Sequence, residues 1–413
     1  MTDADLFYSI LWLLFAAVLM LSFAWRTFRR QVVGDIEMLQ LGAVVYLAVP
    51  YLLFFTDSLD GYPGIHIFQD LFSAAAANSL AILAVVVGCA FFYRLGYSVR
   101  GPAPTLLNRS FSPNIVRLVI AALWLGWAAL VIPRRGDIGA GYSIEYDPKF
   151  LGQLGTINLT VTILLLNANQ FWAHAGTVYK TVAALLLVNS LVLLSLGGRM
   201  YVFSALIALA LQKVSMSPRR MRLKFVGVSL AAVLVMIFVG VWRGSGDLDL
   251  GLFGFVAAGE PVFTSLSLGS FVEQHGIPAL AFPYQFLGSI INFVPSALFT
   301  NKIDFIPSIQ EHLDFESPFG ATNLIVSLIG NFGWIGSLVF ALIMGSLMKG
   351  LLSVQRRGWW LYFYVCSLLP FMFFRDGFSI FNKAAIFNGM ILPYMMLLID
   401  RRLWSRRLRT ASK

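Results

Sequence analysis

Charge is scarce in this chain. Asp, Glu, Lys and Arg make up 12% of its 413 residues, about half the share of a soluble domain, and the mean hydropathy is +0.78. An ordinary water-soluble fold is excluded. Cysteine is nearly absent. Cys89 and Cys366 both sit inside apolar runs, so there is no disulfide framework and no metal-ligand spacing. The four histidines (His66, His174, His275, His312) are scattered and form no HxxxH pair. No internal repeat is found, which removes the sequence argument for an inverted-repeat transporter. No nucleic-acid motif accompanies the net charge of +10.

What the chain has instead is apolar residues in blocks of about 20, the length of a bilayer-crossing helix. Only a helix or a closed barrel satisfies its own backbone in lipid, and the blocks are too long and too uniformly apolar for barrel strands. The expected fold is therefore an all-α polytopic membrane protein with about 11 spans: 6–25, 36–55, 71–92, 115–133, 153–170, 179–196, 200–212, 225–242, 322–348, 359–374 and 384–400. The first span has no basic leader and is read as a retained helix rather than a cleaved signal. If RTFRRQ (26–31) is cytoplasmic, 22 of the 30 Lys and Arg fall on cytoplasmic segments with 3 of the 20 acidic residues, Asp35, Glu37 and Asp400. That bias predicts an outer N-terminus and an inner C-terminus. It assigns the net charge to contact with anionic lipid.

Three stretches follow: helices 1–8 over 1–242, an outer loop over 243–321, and helices 9–11 with the basic tail over 322–413. The loop is too apolar for disorder. Its runs are broken by Gly, Pro, Glu260, Glu273 and His275. They read as amphipathic surface helices or re-entrant segments, with two further spans as the alternative.

The expected outer ends of the spans carry arginines beside glycine: Arg199 in SLGGR, Arg243 in VWRGSG and Arg375 in FFRDG. Each alone reads as an interfacial arginine snorkelling to headgroups. Three on the face that otherwise carries negative charge read as one anion site. Arg199 would open a helix, whose N-terminus favours anions, and Gly197 and Gly198 would let the backbone approach a phosphate. Arg134 and Arg135 rank lower, and Lys302 and Lys383 are auxiliaries. For a general base the candidates are Glu260, in an apolar stretch, then His275, with Asp376 beside Arg375. The plainer readings are a helix N-terminal carboxylate for Glu260, a loop histidine for His275 and charge balance for Asp376. Asp247 and Asp249 (GDLD) read as a solvated turn, so a mechanism without metal or cofactor is expected.

Several motifs together resemble the oligosaccharide repeat unit polymerases, the Wzy-type O-antigen polymerases. They are SLGGRMYVFSALIALALQ (195–212), the WRG step (242–244), FPYQFLGSIINFVPSALF (282–299), SPFGATNLIVSLIGNFGWIGSLVFALIMGSLMKG (317–350) and FFRDGFS (373–379). The likeness covers about residues 190–400. It implies a GT-C-like, all-helical glycosyltransferase in the bacterial inner membrane, working at the periplasmic face without a nucleotide sugar. Polyprenyl-diphosphate-linked oligosaccharide would be both donor and acceptor, membrane lipid would surround it, and a chain-length regulator would be a further partner. Arg199, Arg243 and Arg375 would bind the diphosphate. Glu260 or His275 would take the acceptor proton, and Trp242, Phe282 and Tyr284 would stack on sugar. The rivals are an O-antigen ligase, which adds glycan to lipid A core, a flippase or anion carrier, which would need charge at mid-membrane, and an assembly scaffold.

Overall fold

The computed structural model describes residues 3–29, 32–56, 69–99, 110–138, 148–171, 176–217, 250–291, 321–354 and 359–411, with a few isolated positions between them. The described residues are mostly helical, with no strand among them. Eight helical stretches are long and apolar enough to cross a membrane. This is an all-α polytopic membrane protein. The helices are α1 (Asp3–Arg29), α2 (Asp35–Phe55), α3 (Gln69–Ala77), α4 (Ser79–Ser98), α5 (Pro113–Val131), α6 (Pro148–Phe171), α7 (Thr177–Ser195), α8 (Arg199–Met216), α9 (Leu250–His275), α10 (Tyr284–Ile291), α11 (Leu324–Ser353), α12 (Trp359–Leu368), α13 (Phe374–Asn382) and α14 (Leu392–Ala411). A π-turn, Val44–Ala48, lies within α2. Two more join α12 to α13 and α13 to α14.

The chain divides into two units. The first holds 1–102, 250–350 and 368–383; the second holds 103–249, 351–367 and 384–413.

In the second unit α6 is the most enclosed helix, and its polar residues are paired inside. Asn189 Nδ2 donates to Asn158 Oδ1 at 3.2 Å and to the Leu154 carbonyl at 3.0 Å, and Gln212 donates to the Leu166 carbonyl at 2.7 Å. Such bonds hold helices together where burying carbon gains nothing against lipid. The stretch Trp359–Arg402 runs for 44 residues, about 66 Å as a straight helix and twice what a bilayer needs. It does not run straight. The Tyr364 hydroxyl donates to the Ala384 carbonyl at 3.0 Å across 20 residues, a separation of about 30 Å on a straight helix. The two arms lie antiparallel, as the separate expectations 359–374 and 384–400 require.

In the first unit, packing is set by bare backbone. A Cβ on Gly96 would strike the Leu342 carbonyl, and one on Gly345 the Tyr93 carbonyl, so α4 and α11 meet backbone to backbone. At the Asp35 end of α2 the charges are paired internally. Arg26 Nε lies 3.1 Å from Glu37, Glu37 accepts from the Gly34 N–H at 2.9 Å, and Asp35 accepts from the Tyr93 hydroxyl.

Two glycines fold helices back in this unit. Gly333, inside α11, has φ 68° and ψ 175°, and Phe332 stacks on Phe340 with ring centroids 5.0 Å apart. Eight residues span about 12 Å on a straight helix. The turn is sealed by residues 278–279, whose carbonyls accept the Trp334 and Ile335 N–H groups at 2.9 and 3.1 Å. Gly377, inside α13, has φ 56°, and Phe373 and Phe381 come to 4.6 Å. Phe378 joins the two turns, touching Phe286, Phe332, Phe340 and Phe373. Positive φ at both points is why these residues are glycine. Both belong to the motifs NFGWIG and FFRDG.

Helix α9 occupies much of the segment expected to be a loop of surface or re-entrant helices. From Pro261 to Val272 every residue but Phe263 is buried. Helix α9 is therefore enclosed by the protein on all sides over this stretch. Pro261 sits inside it. The hydroxyls of Thr264 and Ser265 donate to the carbonyls of Glu260 and Pro261 at 2.8 and 3.0 Å, the usual back-bonds of Ser and Thr in a helix.

Candidate functional site

The fold-back at Gly377 determines where Arg375 goes. A straight helix would carry residues 375 and 376 onward; the turn leaves them at its tip. The Thr322 N–H, just ahead of α11, donates to the Arg375 carbonyl at 3.0 Å and fixes the tip. A Cβ on Gly377 would overlap the hydroxyl of Ser327 on the first half of α11, so the approach needs glycine for space as well as for φ.

At this tip Arg375 Nε stands 2.6 Å from Glu260 Oε1, and Arg375 Nη1 stands 3.3 Å from Asp376 Oδ1. Residues 115 positions apart in sequence are thereby paired. The side chains are 31% exposed for Arg375, 36% for Glu260 and 14% for Asp376. Glycine packing and the aromatic cluster hold the helices around this partly exposed pair. Tyr46, fully enclosed, has Glu260, Arg375 and Asp376 as its charged neighbours. Its ring lies between Phe371 and Phe374, and Gly42 leaves room for Phe374. Tyr46 belongs to the π-turn of α2, and its carbonyl accepts from Ser265 Oγ at 3.2 Å and Asn323 Nδ2 at 3.4 Å. π-Turns are often found where a helix serves a site.

Asn323 caps the first half of α11: the Ile325 N–H donates to Asn323 Oδ1 at 2.9 Å, and the Asn323 N–H donates to Ser267 Oγ at 2.9 Å. Asn323, Ser327 and Asn331 fall at four-residue spacing, one face of a helix. That stripe continues onto α10, where Asn331 accepts from the Phe286 N–H at 2.8 Å and donates to Gln285 at 3.2 Å. Ser289 then accepts from Asn382 at 2.7 Å.

Three residues expected to act together, Glu260, Arg375 and Asp376, are thus brought together. The electrostatics differ from expectation. Two carboxylates face one guanidinium, so the formal charge of the trio is −1, and Arg375 is not a bare cation waiting for an anion. His275 does not belong to the cluster. It shares α9 with Glu260 but lies 15 residues on, about 22 Å along the axis. It is exposed at the helix end, where Gly276 (φ 64°) closes the turn through its N–H to the Val272 carbonyl at 2.9 Å.

Arg199 lies in the second unit as the first residue of α8. The glycines before it serve the end of α7. Gly197 (φ 90°) donates to the Leu194 carbonyl at 3.3 Å and Gly198 to the Leu193 carbonyl at 2.7 Å, the paired bonds of a Schellman turn. Gly198 is also pressed against Leu193 and Leu151. The N–H groups of this pair thus serve to terminate α7. Phe282 (70% exposed) and Tyr284 (39%) are open to the surroundings beside α10, as a stacking surface needs to be. Arg134 lies over the Phe150 ring at 4.4 Å. Trp242, Arg243 and Lys302 lie outside the described residues.

No family model, curated protein or solved structure matches the chain.

Tyr46 and the Asn323–Ser327–Asn331 stripe were missed in sequence. The stripe carried a signal, polar residues at helical spacing in an apolar span. Tyr46 carried none.

Proposed function

We infer that this protein joins oligosaccharide repeat units carried on a polyprenyl diphosphate, as the Wzy-type polymerases do. The observation that carries the reading is the Arg375–Glu260 pair, about one-third exposed, held at the tip of a glycine fold-back. Two of the motif glycines behind the resemblance, Gly333 and Gly377, are the residues that make the fold-backs. In this reading the protein crosses the bacterial inner membrane eleven times in a GT-C-like arrangement, N-terminus out and C-terminus in, with the pair reached from the periplasmic side.

The chemistry assigned to the pair is a group transfer. A hydroxyl oxygen of the acceptor sugar attacks the anomeric carbon of the donor chain. The bond from that carbon to the diphosphate oxygen breaks, and the lipid diphosphate leaves with the electron pair. The hydroxyl proton goes to the Glu260 carboxylate. Arg375 stabilises the charge that grows on the leaving diphosphate. Asp376 keeps the guanidinium in place, and Phe282 and Tyr284 offer faces for sugar. Arg199 and Arg243 remain candidates for further phosphate contacts, each tested by its own alanine variant.

One observation favours a second reading, transport of a lipid-linked oligosaccharide or another anion. Tyr46 is the twelfth of the 21 residues of α2, so the charges beside it face the middle of a span rather than its end, where transporters place their sites. Purified protein in liposomes with lipid-linked repeats separates the readings. A polymerase makes a ladder of products on lipid. A ligase makes none until lipid A core is added. A transporter moves the lipid between leaflets and makes no new glycosidic bond, and that result overturns the polymerase reading.

A further inference from the structure

The Arg375 site is already occupied by the protein's own carboxylates, and this bears on how a diphosphate enters. We propose that Glu260 is an internal competitor for the diphosphate site: the incoming anion takes its place on Arg375, and the displaced carboxylate becomes the free base. The proposal rests on the reading above and adds to it an order of events, anion exchange before proton transfer.

Which carboxylate gives way follows from exposure. Asp376 is 14% exposed and adjoins Arg375 in sequence; Glu260 is 36% exposed. Removing the cation from a buried carboxylate strands a charge without water, whereas a hydrated one is released cheaply. Asp376 therefore stays and Glu260 moves. Geometry agrees: Asp376 is tied to Arg375 by adjacency at the Gly377 turn, while Glu260 comes from another helix through a long side chain. The exchange also meets the charge problem. A diphosphate added to a trio of net −1 is repelled; a diphosphate that replaces Glu260 meets a guanidinium with one carboxylate behind it. Before exchange, Glu260 is held in its ion pair with Arg375. After exchange it stands beside the bound anion with no cation, suited to accept a proton. Water at an empty site is thus kept away from an activated base.

The test uses inorganic pyrophosphate and the full-length protein in detergent. Glu260→Gln removes the competitor with little change of shape, so pyrophosphate binds about threefold or more tighter, the effect of losing one partly hydrated ion pair. Asp376→Asn gains less, because Asp376 does not leave. Equal gains for the two variants mean simple charge removal and overturn the proposal, as does weaker binding to Glu260→Gln. The wild-type protein supplies a second measurement that needs no variant to fold. Pyrophosphate should raise the rate at which a water-soluble carbodiimide and an amine label Glu260, read by peptide mass spectrometry; unchanged or slower labelling overturns the exchange. A prenyl diphosphate run in parallel keeps this separate from the function proposed above. Tighter binding than inorganic pyrophosphate supports the lipid substrate. Equal binding sinks the lipid-linked glycan reading while the labelling result still decides the exchange.

Discussion

Replacing Gly333 by alanine is expected to cost about 3–5 kcal/mol, far more than a glycine-to-alanine change in a helix, which ordinarily gains up to about 1 kcal/mol. Backbone conformation supplies the first part. At φ 68° and ψ 175° the residue occupies a region essentially restricted to glycine, and a Cβ there costs about 1–3 kcal/mol. Space supplies the second. The new methyl would overlap the backbone of Ala279 and Leu280, which cannot rotate away as a side chain can. Pushing that strand off breaks the bonds from the Trp334 and Ile335 N–H groups to Pro278 and Ala279, about 1 kcal/mol each. Gly126→Ala is the control. No atom lies within 4 Å of a Cβ there, and α5 is an ordinary helix at that point, so the variant should be neutral or slightly more stable. Both are measured by denaturation in mixed micelles. A Gly333→Ala protein within about 1 kcal/mol of wild type would refute the fold-back and, with it, the placement of the polar stripe around Arg375.

Other outcomes follow from the same structure. Asn323→Ala removes the cap of α11 and should lower stability by about 1–2 kcal/mol in the same micelle assay. Asp35→Asn weakens the buried bonds from Tyr93 and Tyr97; it should lower the unfolding midpoint, by about 1–2 kcal/mol in free energy, yet leave activity per folded molecule unchanged. In a background lacking Cys89 and Cys366, a cysteine at Gln274 should react with an impermeant thiol reagent from the periplasmic side and one at Arg402 only from the cytoplasmic side. The reverse pattern would invert the proposed topology.

Much of the helical frame was legible in hydropathy. The expected span 179–196 is α7, Thr177–Ser195, and 36–55 is α2, Asp35–Phe55. Length and uniform apolarity are local properties, so a sequence displays them. The enclosure of helix α9 was only one of the readings the sequence allowed, because Glu260 and Pro261 interrupt its apolar run. The first interruption is met by a distant partner, since Arg375 pairs the carboxylate. The arginine-glycine motifs did point to Arg375. Two of their glycines also have structural roles that the motifs did not announce: Gly377 turns the chain and Gly197 ends a helix. The pairing of Glu260 with Arg375 spans 115 residues, and no local pattern announces such a contact.

The central claim is that Glu260 and Arg375 carry the transfer between them, and single-turnover assays on variants with lipid-linked repeats test it most directly. Glu260→Gln should keep donor binding and lose transfer by about a hundredfold or more, as for a missing general base. Arg375→Ala should lose both donor binding and transfer. Ladders made by both variants at the wild-type rate would contradict the account.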